Sequence, residues 1–251
     1  MVEEPIKRRV KLIISYDGTN YCGWQVQING ITVEEVINRE LSRMLGEDIA
    51  VIGASRTDSG VHALGNVAVF DTFSKIPPEK MCFALNQRLP DDIRIQDSCE
   101  VPLGFHPRYC DSTKTYEYKI LNRRFDNPVM RLYTHFVYMP LDYEKMQEAA
   151  KYLVGEHDFK SFCSARTQVT DTVRTIYSLD VSKEDDIIKI RISGNGFLYN
   201  MVRIIVGTLI KVGLKVYPPE YVKEILEACD RNVAGPKAPA KGLTLIGIVY
   251  N

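Results

Sequence analysis

Residues 32–46 read TVEEVINRELSRMLG and follow the segment RVKLIISY at residues 9–16. In RVKLIISY, polar and apolar residues first alternate and the residues then become continuously apolar, which is typical of a central strand. Thr32 stands three positions before Glu35, a capping-box pattern that opens an amphipathic helix, and Gly46 ends that helix. The apolar face of the predicted helix consists of Val33, Val36, Ile37, Leu41, Met44 and Leu45.

The chain around this helix has the order β-α-β-β-α-β. Further strands are predicted at residues 50–54, 66–71 and 93–101, with a second helix running from Pro77-Pro78 to about Arg88. This order is typical of a split βαβ layout, with an antiparallel sheet and helices on one face.

The second half of the chain repeats the theme. Strands are predicted at residues 113–121, 134–138, 173–181, 186–193 and 243–250, and helices begin at Asp142, at residue 199 and at residue 219. We predict an α+β fold with two similar halves, residues 1–105 and 106–251. Because no low-complexity linker separates them, we expect one mostly antiparallel sheet with a cleft between the halves.

Composition excludes some classes of protein. The 251 residues contain 32 Lys plus Arg and 32 Asp plus Glu, so the net charge is zero and a uniformly basic coat is excluded.

The six cysteines form no C-x-x-C pair, which predicts reduced thiols in a cytoplasmic protein. The opening residues, MVEEPIKRR, are not typical of a secretory leader. Residues 201–216 are the most apolar, yet they include Arg203 and Lys211 and are too few for a membrane span.

The segment GASRTDSGVHALG at residues 53–65 is the first that can carry chemistry. Asp58 in such a loop commonly accepts backbone N–H groups in a purely structural role. An aspartic protease is excluded because no second Asp-Ser/Thr-Gly occurs and Arg56-Thr57 replaces the usual apolar pair. Asp17-Gly18-Thr19 lacks the upstream aspartate of a phosphatase motif and is predicted to be a turn.

A second segment, GNGFLYNMVRIIVG at residues 194–207, opens an apolar helix with one cation. Arg203 shares a helix face with Asn200 and Gly207, and the glycine leaves room for a neighbouring backbone. The arginine either extends to the surface or has a buried anionic partner, because an unpaired buried charge is costly. Asp58 is a candidate partner.

Aromatic residues mark two further segments. Tyr116 and Tyr118 lie on one face of a predicted strand, where they either pack in the core or stack on a base. Trp24 is the sole tryptophan and lies in a glycine-punctuated loop, where packing is the commoner role.

Six segments then occur in the order and spacing of one family. They are YDGTNYCGWQ at residues 16–25, GASRTDSGVHALG, KTYEYKI at 114–120, GEHDFKSF at 155–162, GNGFLYNMVRIIVG and APAKGLTLIGIVY at 238–250. Together they resemble the TruA family of tRNA pseudouridine synthases over essentially the whole chain. Ser55 and Ser59 stand where that family commonly has Gly and Ala.

The resemblance implies a pseudouridine synthase fold that isomerises uridine to pseudouridine at nucleotides 38, 39 and 40 of the tRNA anticodon stem-loop. It implies Asp58 as nucleophile, Tyr116 as the aromatic on the target base and Arg203 as partner of Asp58. Arg56 is expected to fill the gap left by the flipped uridine. Substrate contacts are expected from Arg56, Tyr116, Tyr118, Phe197, Leu198 and Trp24.

The implied reaction needs no metal or organic cofactor, and the implied assembly is a homodimer that binds tRNA and no membrane. The target uridine must leave the stack. The carboxylate can then attack C1′ covalently or abstract the 2′ proton on a glycal route, and Tyr116 or a water can remove the C5 proton.

Three rivals remain weaker. A non-catalytic RNA-binding module with duplicated RRM-like halves does not need an Arg-Thr-Asp loop. A glycosidase acting on nucleosides needs a second catalytic carboxylate. A zinc protein needs ligand spacing that the four histidines do not show.

Charges are segregated along the chain. Residues 187–215 hold five cations and no acid, and residues 104–135 hold six cations and three acids. Both windows include candidate site residues, so we expect a salt-sensitive RNA contact concentrated in the cleft.

Overall fold

A computed structural model describes residues 6–164 and 171–251 of the chain, which fall into two units. Residues up to Asp111 together with Leu245–Asn251 form the first unit, and Ser112–Thr244 forms the second. The first unit therefore extends six residues beyond the predicted boundary at residue 105. It also includes most of the last strand, which the sequence analysis assigned to the second half. Residues 1–5, part of the opening stretch that argued against a leader, lie outside the described residues.

The first unit has the β-α-β-β-α-β order, followed by the returning C-terminal strand. Its elements are β1 (Arg8–Tyr16), α1 (Val33–Leu45), β2 (Ile52–Gly53), β3 (His62–Thr72), α2 (Met81–Asn86), β4 (Ile93–Val101) and β10 (Leu243–Tyr250). The strand order is β4-β1-β3-β10, β2 adds to β3, and β1 is antiparallel to both β3 and β4.

The start and end of α1 confirm the predicted capping. The Thr32 side chain accepts the backbone N–H of Glu35 at 3.3 Å, and Gly46 ends the helix in the left-handed conformation with φ 68°. The alternate residues Val10, Leu12 and Ile14 of β1 are all fully buried, as the pattern of a core-facing strand requires.

Three elements of this unit differ from expectation, and one of them is β3, which begins at His62, four residues before the expected start at residue 66. The strand expected at residues 50–54 shortens to β2, because residues 54–61 turn away into a loop. The helix expected from Pro77-Pro78 begins as a 3₁₀ turn, Pro78–Lys80, before α2.

The second unit is a sheet with three helices. Its elements are β5 (Ser112–Asn122), β6 (His135–Val137), α3 (Tyr143–Lys151), β7 (Gly155–Asp158), β8 (Val173–Glu184), β9 (Ile187–Gly194), α4 (Met201–Gly213) and α5 (Tyr221–Ala228). The strand order is β5-β9-β8-β7, antiparallel throughout, with β6 parallel on β5. The hairpin of β8 and β9 confirms the predicted pair, whereas β7 was not predicted because its sequence, GEHD, has no apolar alternation.

Helix α4 is the most deeply buried helix of the second unit. Eleven of its thirteen residues are buried, and Arg203 is one of them at 8% exposure. Asp142 caps α3 by accepting the Lys145 N–H at 3.2 Å, as predicted. Within residues 6–164 and 171–251, no helix combines the length and apolar character that crossing a membrane requires.

Candidate active site

Residues 54–61 form the loop that carries Asp58 in the first unit. β2 leads into the loop and β3 leads out of it. The two strands pair with each other, so the ends of the loop are anchored in the sheet. We call residues 54–61 the Asp58 loop.

A second loop, at residues 17–24, supports the Asp58 loop by direct backbone contact. Trp24 N donates to Thr57 O at 3.1 Å, and Gly60 N donates to Tyr21 O at 3.3 Å. A Cβ on Gly23, which has φ +87°, would lie 2.6 Å from Thr57 O, and one on Gly18 would lie 2.0 Å from Val61 O. Only glycine permits this approach, so the glycines of the YDGTNYCGW segment serve the Asp58 loop.

Side chains of β1 and β3 also hold the Asp58 loop and its neighbour at residues 17–24. Tyr16 OH lies 2.7 Å from Thr57 Oγ1, and the fully buried Asn66 amide donates to Ser55 O at 3.1 Å. Gly18 N lies 3.1 Å from His62 Nδ1, so the ring of His62 contacts the loop at residues 17–24. The Asp58 loop is thereby fixed before any ligand arrives, which is the arrangement that precise chemistry needs.

Asp58 and Arg56 are the side chains that this support presents. Asp58 is half-buried and Arg56 is exposed, while Ser55 and Thr57 between and beside them are buried. Over residues 55–58, buried side chains therefore alternate with more exposed ones. A carboxylate on a fixed, partly exposed backbone can act as a nucleophile or a base.

Trp24 lies under the Asp58 loop and has no exposed surface. A Cβ on Gly53 would lie 2.2 Å from its Nε1, so the indole packs directly on that glycine. In this structure the Trp24 side chain therefore packs beneath the loop and presents no surface to a substrate.

In the second unit, β5 places Tyr116 beside Phe197. The two rings meet edge to face, with centroids 5.3 Å apart and planes at 87°. Tyr116 is 7% exposed, Leu198 6%, and Phe197 is half-buried. Two of the predicted substrate residues, Tyr116 and Phe197, are therefore in direct contact, and Leu198 follows Phe197 in the chain.

Tyr118 lies two residues further along β5 and is fully buried. Its hydroxyl donates to Pro239 O at 2.8 Å, and burial raises the pKa of this phenol. A Cβ on Gly242 would lie 2.7 Å from the ring. Tyr118 thus anchors the segment at residues 234–242, and Tyr116 is the tyrosine of the pair beside Phe197.

Arg203 is buried in α4 and holds the same segment. Its Nε donates to Ala238 O at 2.8 Å, Nη1 donates to Asn200 Oδ1 at 3.2 Å, and its own carbonyl accepts Ala238 N at 3.0 Å. One turn later, a Cβ on Gly207 would lie 1.6 Å from Pro236 O. The prediction that Gly207 leaves room for a neighbouring backbone is confirmed.

Metal ligands are not clustered in the part of the chain that the structure describes, where no three His, Cys, Asp or Glu side chains are placed to share an ion.

Comparison with known proteins identifies the family. A family profile described as tRNA pseudouridine synthase matches residues 12–110 and 149–251, which include the Asp58 loop and α4. The chain belongs to this tRNA pseudouridine synthase family. It is therefore an enzyme, and its class is isomerase.

The sequence is also similar to individual tRNA pseudouridine synthases over almost its full length. The tRNA pseudouridine synthase A of Ruminiclostridium cellulolyticum is 52% identical over 244 residues, and that of Brevibacillus brevis is 51% identical over 243 residues. Each alignment covers 97% of this chain and 100% of the relative. Among solved structures, a Cbf5-Nop10-Gar1 complex matches at 12% identity with a TM-score of 0.35, covering 94% of this chain and 47% of that chain.

The support of the Asp58 loop includes residues to which the sequence analysis gave no role. Tyr16, Thr57, His62 and Asn66 all fix the Asp58 loop through hydrogen bonds. Tyr16 ends β1 and His62 begins β3, whereas Asn66 lies within β3 and Thr57 lies in the middle of the loop, so they share no local sequence signal. Polar groups buried in such places need partners.

Proposed function

We propose that this enzyme isomerises uridine to pseudouridine in the anticodon stem-loop of tRNA, at nucleotides 38, 39 and 40, with Asp58 as nucleophile. The observation that carries the proposal is the Asp58 loop, in which a partly buried carboxylate stands on a backbone held by the loop at residues 17–24 and by Tyr16. The near full-length likeness to tRNA pseudouridine synthases A supports tRNA as the substrate.

The reaction breaks the N1–C1′ bond, turns the base and forms a C5–C1′ bond. We infer that the target uridine leaves the stack and that Arg56 fills the gap, since Arg56 is exposed two residues before Asp58. Asp58 then attacks C1′ as the N1–C1′ bond breaks and the base leaves as the uracil anion. The carboxylate is released again when C5 of the turned base bonds to C1′. A general base, Tyr116 or a water, finally removes the C5 proton, and N1 takes up a proton, so that the product is an isomer of the uridine.

The proposed roles of Tyr116, Phe197 and Leu198 rest on their shared place in the second unit. Edge-to-face packing on Phe197 holds the Tyr116 ring in one orientation, which suits a ring that stacks on a base. Arg203 is proposed as the partner of Asp58, a role carried over from the family resemblance.

The Asp58→Asn variant tests the nucleophile. This change keeps the size and removes the charge, so release of tritium from C5-labelled uridine in tRNA is expected to stop while tRNA binding persists. Asp48→Asn is the matched control, because Asp48 lies outside the loop and precedes β2. Tritium release by Asp58→Asn at the wild-type rate would refute the role of the carboxylate.

The position of the modification needs a separate experiment. Transcripts that keep uridine at only one of nucleotides 38, 39 or 40, labelled there at C5, are expected to release tritium. A transcript with cytidine at all three is expected to release none. Release from the last transcript would show that the enzyme acts elsewhere in the tRNA.

We also propose a cytoplasmic homodimer, as the family resemblance implies. Sedimentation equilibrium is expected to give about twice the chain mass of 28.6 kDa. A species of 28.6 kDa across the concentration range in which the enzyme is active would contradict the dimer.

A further inference from the structure

The turn at residues 105–110 has no place in the reaction above, yet it is firmly held in the first unit. Arg9 Nη1 donates to Phe105 O at 2.9 Å, and Tyr250 OH donates to Pro107 O at 2.9 Å. The turn closes on itself, with Cys110 N donating to His106 O at 3.1 Å. Two strands of the sheet therefore fix the turn, and its side chains have defined positions.

Arg108 connects this turn to the start of the Asp58 loop. Its Nε donates to Gly53 O at 2.9 Å, and Gly53 is the last residue of β2. Its terminal nitrogens, Nη1 and Nη2, form no hydrogen bond or ion pair with any residue of 6–164 or 171–251. A guanidinium fork that is held by one nitrogen and open at the other two is suited to an anion with paired oxygens.

The surroundings of Arg108 also favour an anion. Burial, and then the nearby cation of Arg56, lower the pKa of Arg108, although an arginine remains charged. The carboxylate of Glu34 acts in the opposite direction, but it forms no ion pair with Arg108. Among the described residues, Arg108 therefore makes no direct contact with a carboxylate.

Tyr109 offers a second kind of contact. Its side chain is 82% exposed and stacks on the His106 ring, with centroids 4.2 Å apart and planes at 25°. His106 is held in turn, because its Nδ1 accepts Arg108 N at 3.2 Å. An exposed ring backed by a fixed ring is a platform on which a base can stack.

We propose that residues 106–109 are a second RNA contact on the unit that carries Asp58, in which Arg108 binds a backbone phosphate through Nη1 and Nη2 and Tyr109 stacks on an unpaired base. This inference rests on the proposed function, since it takes RNA as the ligand. Adjacent residues supply the two contacts, as neighbouring phosphate and base in one strand require. Because Arg108 also touches Gly53, a strand bound there is positioned relative to the Asp58 loop.

The Arg108→Gln variant tests the phosphate contact. The glutamine amide nitrogen occupies the position of Arg108 Nε, so the bond to Gly53 O can persist while the charge and both terminal nitrogens are lost. We expect tRNA binding to weaken and the slope of log Kd against log salt to fall by about 0.7–0.9, the loss of one phosphate contact. Melting temperature is expected to stay near that of the wild type.

Two further variants separate this role from a structural one. Arg108→Met removes every donor, so it is expected to weaken binding as the glutamine does and to lower the melting temperature as well. Tyr109→Ala is expected to weaken tRNA binding about 5- to 150-fold with an unchanged salt slope, because stacking involves no counterion.

Arg43→Gln is the matched control. Arg43 is a largely exposed arginine in the last turn of α1, about 15 Å along the axis from Val33, whose N–H binds the 17–24 loop. Its removal makes the same change in net charge, and the salt slope is expected to remain that of the wild type.

The outcomes are distinct. If Arg108→Gln binds tRNA with the wild-type affinity and slope while only Arg108→Met is impaired, Arg108 is a brace for Gly53 and the phosphate contact is refuted. If Arg43→Gln lowers the slope as much as Arg108→Gln, the effect is one of overall charge and the proposal also fails. Tritium release by the wild type is measured in parallel, since its absence would refute the proposed function instead.

Discussion

Gly207 in α4 provides a strong test of how the second unit is assembled. In Gly207→Ala the new Cβ would lie 1.6 Å from Pro236 O and 2.8 Å from Pro236 C. Carbon atoms at rest approach to about 3.5 Å, so the segment at residues 234–242 must withdraw by about 2 Å. The obstacle is backbone on both sides, and no side-chain rotation relieves it.

The expected cost follows from the bonds that this withdrawal breaks. They are Gly235 N to Thr208 Oγ1 at 2.9 Å, Ala238 N to Arg203 O at 3.0 Å and Arg203 Nε to Ala238 O at 2.8 Å. Two neutral bonds contribute about 1 kcal/mol each, and the charged one about 1.5–3 kcal/mol. Alanine returns about 1 kcal/mol through its higher helix propensity. We expect a net loss of about 3 kcal/mol in the free energy of unfolding.

Thermal and urea unfolding measure this loss directly. For a chain of this size about 3 kcal/mol corresponds to a fall of about 6–12 °C in Tm. Gly104→Ala is the control, because a Cβ there meets nothing within 4 Å and its φ is ordinary. If Gly207→Ala were as stable as the wild type, helix propensity would outweigh the contact, and the segment at 234–242 would not be held by α4 in the way described.

Two further predictions concern one side chain in each unit, Asp71 in the first and Arg203 in the second. Asp71 lies 2.6 Å from Arg9 Nε, and this bond holds the pKa of Asp71 below its ordinary value. Its contribution is therefore full above about pH 4 and lost as the pH falls through the folded pKa. Asp71→Asn is expected to lower stability by about 1 kcal/mol at pH 7. In urea titrations the difference should shrink below pH 4, and a constant difference would contradict the linkage. Arg203→Leu is expected to destabilise the fold and to slow tritium release at least about tenfold, equivalent to about 1.4 kcal/mol in the barrier. An unchanged rate would show that Asp58 has a different partner.

Local sequence predicted the elements whose signals are local. The capping of α1 by Thr32 and Gly46 is where the pattern placed it, and β4 and β10 have the predicted bounds. Capping and apolar alternation depend on residues within a few positions of each other, so they can be read without the fold. β7 was missed because its four residues pair with β8 through backbone groups alone, which leave no apolar pattern.

The candidate site was partly predictable for the same reason. The sequence indicated Asp58, Arg56, Tyr116 and Arg203 through unusual residues in unusual surroundings. Exposure could not be read in this way, because an aromatic residue in a strand or loop has the same local pattern whether it is buried or exposed. The buried side chains of Trp24 and Tyr118 pack against Gly53 and Gly242, which are distant from them in the chain.

By itself, then, the sequence determined the order of most helices and strands, the α+β class and the family, and it indicated Asp58 as the candidate carboxylate. Tertiary structure alone decided which glycines admit a neighbouring backbone, which tyrosine of β5 meets Phe197, and that Arg108 reaches Gly53 with two nitrogens left open. The physical reason is range. Propensity, capping and periodicity act over one or two turns, whereas close approach, burial and the partners of a buried polar group depend on segments that only the folded chain brings together.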